Sequence, residues 1–257
     1  MELAPTPLDK RDWIAGLEKG LSIIAAFDDA HPRLTASQAG QRCAMTRTAA
    51  RRYLLTLAHL GYVASDGKLF WLTPRVLRLG QSYLESARLP RAAQPYLQRI
   101  TAGTQESAYL SVLDGDETLY IARNGTHRGM NTGLVLGSRA PAQTTAAGLM
   151  LLALGPPEVM ERWLERTLLP AYTAHTITDK PLLRAELQRI HGQGWAISEQ
   201  QLELGFRGIA VPLLDRHGQL LGGLNVSMLI GSESSADALA RVLPVLQETA
   251  RAMRGVL

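Results

Sequence analysis

The chain has 257 residues, 46% of them hydrophobic and 19% charged, with one cysteine and a formal net charge of +4. This is the balance of a globular chain rather than a disordered one, and a single thiol excludes an internal disulfide framework and fits a reducing cytoplasm. No apolar stretch approaches the roughly 18–20 residues that cross a bilayer, and residues Met1–Arg11 carry prolines and charges instead of an apolar export signal, so no membrane role is expected.

The charge is unevenly placed. Residues 1–90 hold 12 Lys/Arg against 8 Asp/Glu, whereas residues 91–257 hold 15 of each. From Arg33 to Arg78 the basic residues number 8 and the only acid is Asp66. A polyanion partner is implied for the first part only.

In chain order, Trp13–Phe27 carries Ile14, Leu17, Leu21, Ile24 and Phe27 at helical spacing. After a break at Asp28–Pro32, Thr35 is placed to cap a short helix running to about Cys43, for which a packing role is expected. A tight connection at Ala44–Met45 leads to Thr46, a second cap, and to a helix from Arg47 to about Leu60, stopped by Gly61. Wound at about 100° per residue, that helix gathers Ala50, Tyr53, Leu54, Leu57 and Leu60 on one side. Arg47, Thr48, Arg51 and Arg52 fall on the other side, within its first two turns. An apolar back with long donors near the N-terminus suits docking in a DNA major groove; a basic surface helix has the same pattern.

The next residues favour DNA. Tyr62–Ser65 and Lys68–Leu72 are extended, aromatic and β-branched runs split by Asp66-Gly67, a hairpin signal in which both turn positions favour positive φ. A hairpin directly after such a helix is a wing. Thr73-Pro74 then opens an arm helix that should stop before Pro90 and includes Val76, Leu77, Gly80, Tyr83 and Leu84. The predicted division is a winged helix-turn-helix over 1–73, a linker helix over 74–90 and a second domain over 91–257.

In that last domain, Ser107–Leu113 and Thr118–Arg123 flank Asp114-Gly115-Asp116, and Ile209–Leu214 and Leu220–Met228 flank Asp215–Gly218; both read as hairpins. Helices are expected near Ala92–Ala102, Ala146–Leu154, Pro157–Leu168, Lys180–Gln193 and Ser235–Met253. The fold class is α+β, with helices packed on an antiparallel sheet as in sensor domains of the GAF and PAS type. No phosphate loop, nucleophile elbow or paired metal ligands are present, and His31, His59, His127, His175, His191 and His217 are scattered. Neither an enzyme nor a cofactor or metal site is expected.

Six stretches carry a family resemblance: Gly16–Leu21 (GLEKGL), Leu60–Val63 (LGYV), Leu72–Leu77 (LTPRVL), Val112–Gly115 (VLDG), Tyr172–Asp179 (YTAHTITD) and Leu202–Pro212 (LELGFRGIAVP). Together, and in this order, they resemble the IclR family of bacterial transcription regulators over nearly the whole chain. The YTAHTIT stretch points to the branch that governs protocatechuate and 4-hydroxybenzoate catabolism.

The resemblance implies DNA binding through Thr46, Arg47, Thr48, Arg51 and Arg52, with Lys68 in the wing on phosphates or the minor groove. It implies a roughly palindromic operator, a homodimer or dimer of dimers, and contact with RNA polymerase if the protein activates. It assigns effector binding and oligomerisation to the domain over 91–257. It also implies an effector pocket walled by Thr145, Ala146, Ala147, Ser198, Gly208, Asn225 and Ser227, positions that would otherwise be ordinary polar residues of a sheet surface. Arg207 beside them either supplies charge to an aromatic or small organic acid or pairs with Glu203, and Gly208 leaves space for a six-membered ring. The chain departs from the family pattern at Gln143, Leu149, Ser198, Gln201 and Gly208. Two other readings stand beside a regulator: an enzyme that controls its own gene, and a C-terminal domain that only oligomerises.

Overall fold

The computed structural model describes residues 8, 9, 11–125 and 134–256, and of Leu84 the backbone only. His127 and most of the N-terminal stretch read for an export signal lie outside the described residues. The chain divides between Ser86 and Ala87 into two units.

In the N-terminal unit, α1 (Ala15–Ala25) is shorter than the apolar spacing predicted. Ile23 and Ala26 are buried and Ile24 and Phe27 pack beside them. The rest of the predicted stripe lies outward: Ile14, Leu17 and Leu21 are 69%, 62% and 53% exposed. Thr35 ends a two-residue strand, β1 (Leu34–Thr35), and caps α2 (Ala36–Arg42) in a reciprocal capping box with Gln38. Cys43 is half-buried against this core, its thiol pushed up by burial.

The connection to α3 (Arg47–His59) is tight. Ala44 takes a φ of 50°, and the backbone N–H of Met45 donates to the Gly40 carbonyl at 2.9 Å. A Cβ on Gly40 would lie 2.7 Å from the Met45 carbonyl oxygen, so the α2–α3 angle depends on a bare backbone there. Ala50, Leu54 and Leu57 of α3 close the core, while Leu60 is exposed.

The wing is β2 (Val63–Ser65) and β3 (Leu69–Leu72), and β1 adds to β3, giving the order β1-β3-β2. Its turn differs from the expected two-residue type. Only Gly67 has positive φ (97°), and the Asp66 carboxylate accepts from the backbone N–H groups of Lys68 and Leu69 at 2.9 and 2.8 Å. A side chain that closes the loop on itself removes the need for a left-handed Asp66.

The expected arm is also divided. After a 3-10 turn (Pro74–Val76), α4 spans Leu77–Ser86, and a new helix, α5 (Arg88–Thr104), starts beyond Ala87. Pro90 therefore does not stop a helix. It stands in the first turn of the next one, where a missing N–H is harmless.

The C-terminal unit is a six-stranded antiparallel sheet built from β4 (Ser107–Asp114), β5 (Glu117–Asn124), β6 (Arg139–Pro141), β7 (Ala196–Glu199), β8 (Phe206–Leu214) and β9 (Leu220–Leu229), in the order β6-β5-β4-β9-β8-β7. Both predicted hairpins are present, and the short edge strands β6 and β7 are additions. One face packs on α5 and on α9 (Ser235–Arg254) through Leu97, Ile100, Val242 and Leu246. The other face carries α6 (Ala146–Leu154), α7 (Pro157–Arg166) and α8 (Lys180–Gln193). The α6 helix is apolar on every side because it lies between the sheet and α8. A sheet with helices on both faces is the predicted α+β class.

Candidate DNA-binding face and effector pocket

The hydroxyl of Thr46 accepts from the Ala49 N–H at 3.2 Å and so starts α3. Arg47, Thr48, Arg51 and Arg52 are all exposed on its first turns, and Lys68 is exposed at the tip of the wing. The four cations among them form no ion pair within the described residues, whereas Arg42 is held by Asp28. Arg33 lies over the Trp71 ring at 4.5 Å and Arg75 over Tyr62 at 5.6 Å. The unit therefore commits its flanking arginines to its own aromatic rings and leaves those of α3 open. Burial on one side of α3 and unpaired cations on the other give the geometry of a groove-binding helix.

In the C-terminal unit a cleft of about 130 Å³ lies between the sheet, the start of α6 and the loop after β7. A cavity of roughly 150 Å³ holds a benzene ring, so the space suits a single-ring ligand. All seven residues that the family resemblance assigns to an effector line it, and Arg207 beside them borders it but turns its guanidinium away.

Several of their polar groups are already used. Thr145 caps α6, accepting from the Gly148 N–H at 3.0 Å, and shares a 2.8 Å hydrogen bond with Thr118. The Ser198 hydroxyl donates to the Thr144 carbonyl at 2.7 Å. Among the described residues nothing engages the Asn225 amide nitrogen, the Ser227 hydroxyl or the N–H groups of Ala146 and Ala147 at the helix start, all of which line the cleft. The Asn225 side-chain oxygen accepts from Ser111 at 2.7 Å, which orients its NH₂ as a donor.

Arg207 is a correction. On a strand, neighbours alternate between faces: Gly208 and Ala210 look toward α6, and Arg207 and Ile209 toward α9. The Arg207 side chain is 3% exposed and ion-pairs with Glu199, not Glu203, while its NH groups reach the carbonyls of Glu233 and Ser234. It is committed to joining β8, β7 and the start of α9. Burial alone would raise the pKa of Glu199, but the hydrogen bonds from Ser235 and Arg207 outweigh it and hold the carboxyl below its usual range.

Gly208 also differs from expectation. A Cβ there would meet the Ala146 Cβ at 3.3 Å, so the missing side chain lets α6 approach the sheet rather than leaving room for a ring. The aromatic lining comes from residues without a sequence motif to mark them. Tyr120 stacks edge-on against Tyr109, with centroids 5.2 Å apart, and Leu134 and Leu202 pack against this pair. The Tyr120 side chain is 3% exposed, its hydroxyl has no hydrogen-bond partner among the described residues, and burial drives its pKa up. The sequence places Tyr120 only within a predicted strand, and the tertiary fold brings α6 and the β7–β8 loop over it.

Among the described residues no group of His, Cys, Asp and Glu is placed to hold a metal ion, and no helix is long and apolar enough to cross a membrane. His31 pairs with Asp28, and the Nδ1 of His191 hydrogen-bonds the Ala153 carbonyl at 2.8 Å.

A winged helix-turn-helix joined to a sensor-like α+β unit with a small-molecule cleft defines a DNA-binding transcription regulator. The family comparisons agree unit by unit: residues 16–67 match the IclR helix-turn-helix domain and residues 81–254 the C-terminal domain of IclR bacterial transcriptional regulators. The chain belongs to the IclR family, and it is a regulator rather than an enzyme. It is 41% identical to the Pca regulon regulatory protein of Pseudomonas putida, over 93% of this chain and 83% of that one. It is 38% identical to the p-hydroxybenzoate hydroxylase transcriptional activator of Acinetobacter baylyi, over 96% and 93% of the two chains. Among solved structures, an IclR homologue from Microbacterium hydrocarbonoxydans complexed with 4-hydroxybenzoate superposes with a TM-score of 0.76 at 25% identity, covering 94% of this chain and 98% of that one.

Proposed function

We propose that this protein controls aromatic-acid catabolic genes in the cytoplasm, and that an aromatic carboxylic acid bound in the C-terminal cleft sets its action at the operator. The observation that carries the reading is the polarity of the cleft. Its uncommitted groups at the start of α6 and on β9, those of Ala146, Ala147, Asn225 and Ser227, can donate, beside an apolar and aromatic wall of Tyr120, Leu134, Leu202 and Phe206 and with an acceptor on Gln201 in the same lining. A buried carboxylate needs several donors, and N–H groups at a helix start supply them without a side-chain cation. The names of the relatives, including a 4-hydroxybenzoate complex, point to the same ligand class.

In this reading Arg47, Thr48, Arg51 and Arg52 enter the major groove behind the Thr46 cap, and Lys68 meets phosphates or the minor groove. Residues 1–73 read DNA, 74–90 form the arm, and 91–257 sense and oligomerise. Two copies face the two halves of a near-palindrome, alone or as a dimer of dimers. The exposed stripe Ile14, Leu17 and Leu21 supports a self-association surface on the DNA-reading unit. Contact with RNA polymerase follows if the protein activates.

Titration calorimetry of the full chain with 4-hydroxybenzoate, protocatechuate and their amides tests the effector. Micromolar binding of the acids with loss of the amides is expected. Equal binding of acid and amide refutes the carboxylate site.

A further inference from the structure

The stretch Tyr172–Asp179, a mark of kinship in the sequence, holds the loop that walls the cleft in the fold. The Thr173 hydroxyl donates to the Gln200 carbonyl at 2.5 Å, and the Thr176 hydroxyl donates to the Gln201 carbonyl at 2.6 Å. Thr176 also accepts from the N–H groups of Tyr172 and Thr173, at 3.0 and 2.9 Å, so the clamp is itself braced. The loop it holds is unusual. Gln200 adopts a left-handed φ of 56°, and its side-chain oxygen accepts from the Gly205 N–H at 3.1 Å. Such a conformation in a non-glycine residue persists only where its surroundings enforce it. Next in the loop, Gln201 lines the cleft with its side-chain oxygen buried and without a hydrogen-bond partner among the described residues. Leu202 then packs on the Tyr109–Tyr120 pair.

We infer that Gln201 is the specificity-determining residue for a ring hydroxyl on the effector, and that Thr173 and Thr176 are positioning residues that hold it at the cleft. This rests on the aromatic-acid reading of the cleft. A buried acceptor left unpaired is costly, and a loop pinned at two successive carbonyls cannot swing out to water to relieve it. A hydroxyl carried in on the effector donates to that oxygen and removes the cost. The Tyr120 hydroxyl, which bonds no other described residue, lines the same cleft and offers the incoming oxygen a donor. A hydroxyl both donates and accepts, so it suits this acceptor and donor together better than a halogen or hydrogen. Sites built to bond a substrate hydroxyl reject analogues that lack it.

The test measures dissociation constants of the full-length protein for 4-hydroxybenzoate, 3-hydroxybenzoate and 4-fluorobenzoate, the last nearly isosteric with the first but unable to donate. The wild type is expected to prefer one of the hydroxy acids over the fluoro acid by about tenfold or more. Gln201→Leu should bring that ratio to about 1, chiefly by weakening the hydroxy acid, with 4-fluorobenzoate held within about threefold. Thr176→Val should lower the ratio and Thr176→Ser should restore it, which a merely structural role would not do. If the wild type binds hydroxylated and fluorinated acids alike, or the ratio survives Gln201→Leu, the inference falls and the aromatic-acid reading stands. If no benzoate derivative binds the wild type, both fall.

Discussion

Gly40 offers a sharp test of how the DNA-reading unit is built. The α2–α3 turn brings the Met45 carbonyl oxygen to 2.7 Å from where a Cβ on Gly40 would stand, and the atom met is backbone. Ordinary carbon–oxygen contacts begin at about 3.3 Å, so Gly40→Ala must push the turn open by roughly 0.6 Å. The turn cannot simply yield, because the Met45 N–H is bonded back to the Gly40 carbonyl and Ala44 is already at positive φ. Overpacking of this kind costs about 1–3 kcal/mol, set against the ~1 kcal/mol that alanine gains over glycine in a helix. The net effect is neutral to about 2 kcal/mol destabilising, or a fall of up to roughly 8–16 °C in the melting of a unit this small.

Gly192 in α8 is the control. Its Cβ position meets nothing within 4 Å, so Gly192→Ala should be neutral or stabilising. Calorimetric melting of both variants, with operator binding followed in parallel, reads the outcome. Gly40→Ala should also weaken DNA binding, since α3 is re-aimed, while effector binding by the other unit is kept. A Gly40→Ala protein that gains stability as Gly192→Ala does and binds operator normally would refute the role assigned to the turn.

Three further outcomes are expected. Arg51→Ala should cost about 1–3 kcal/mol at the specific operator if it contacts a base edge, or lower the salt slope by about 1 if it contacts phosphate; gel-shift titrations across salt decide, and no change in either removes Arg51 from the interface. Asn225→Asp turns a donor aimed at the cleft into a carboxylate, and calorimetry should show aromatic-acid binding weakened by at least about tenfold with the fold intact; undiminished binding would place the carboxylate elsewhere. Because the folded pKa of Glu199 is lowered, its contribution to stability is present above the ordinary glutamate pKa and is lost as pH falls through the folded value; acid unfolding of Glu199→Gln should show a shallower limb in that window, and an unchanged limb would contradict the ion pair with Arg207.

Much of the DNA-reading unit was legible locally. Caps at Thr35 and Thr46, the polar and apolar sides of α3, and the strand–Asp-Gly–strand run each depend on residues a few positions apart. Where that reading erred, a local alternative won: Asp66 closed the wing with its side chain, and Pro90 began a helix instead of ending one.

The cleft was only partly legible. Strand alternation placed Asn225 and Ser227 on one face, and a match to the family placed Thr145 and Ser198 near it. Whether a hydroxyl there is free or spent depends on partners far along the chain, such as Thr118 for Thr145 and Thr144 for Ser198. The same limit applies to Arg207, whose pairing with Glu199 and reach to α9 follow from the pleat of β8 and from a helix that starts 28 residues later. Tyr120 has no motif of its own, and Gln201 stood out in the sequence only as a departure from the family pattern; the unmet oxygen of its side chain is visible only in the folded cleft.

The central claim is that an aromatic acid in the C-terminal cleft changes how the N-terminal unit meets DNA. Fluorescence anisotropy of the full-length protein on the DNA adjoining its own gene, titrated with and without saturating 4-hydroxybenzoate or protocatechuate, measures it directly. The account predicts a saturable shift in operator affinity of about 5–150-fold, the usual span of coupling between two sites, produced by an acid and not by its amide. Operator affinity that stays the same with every aromatic acid that binds the cleft would contradict it.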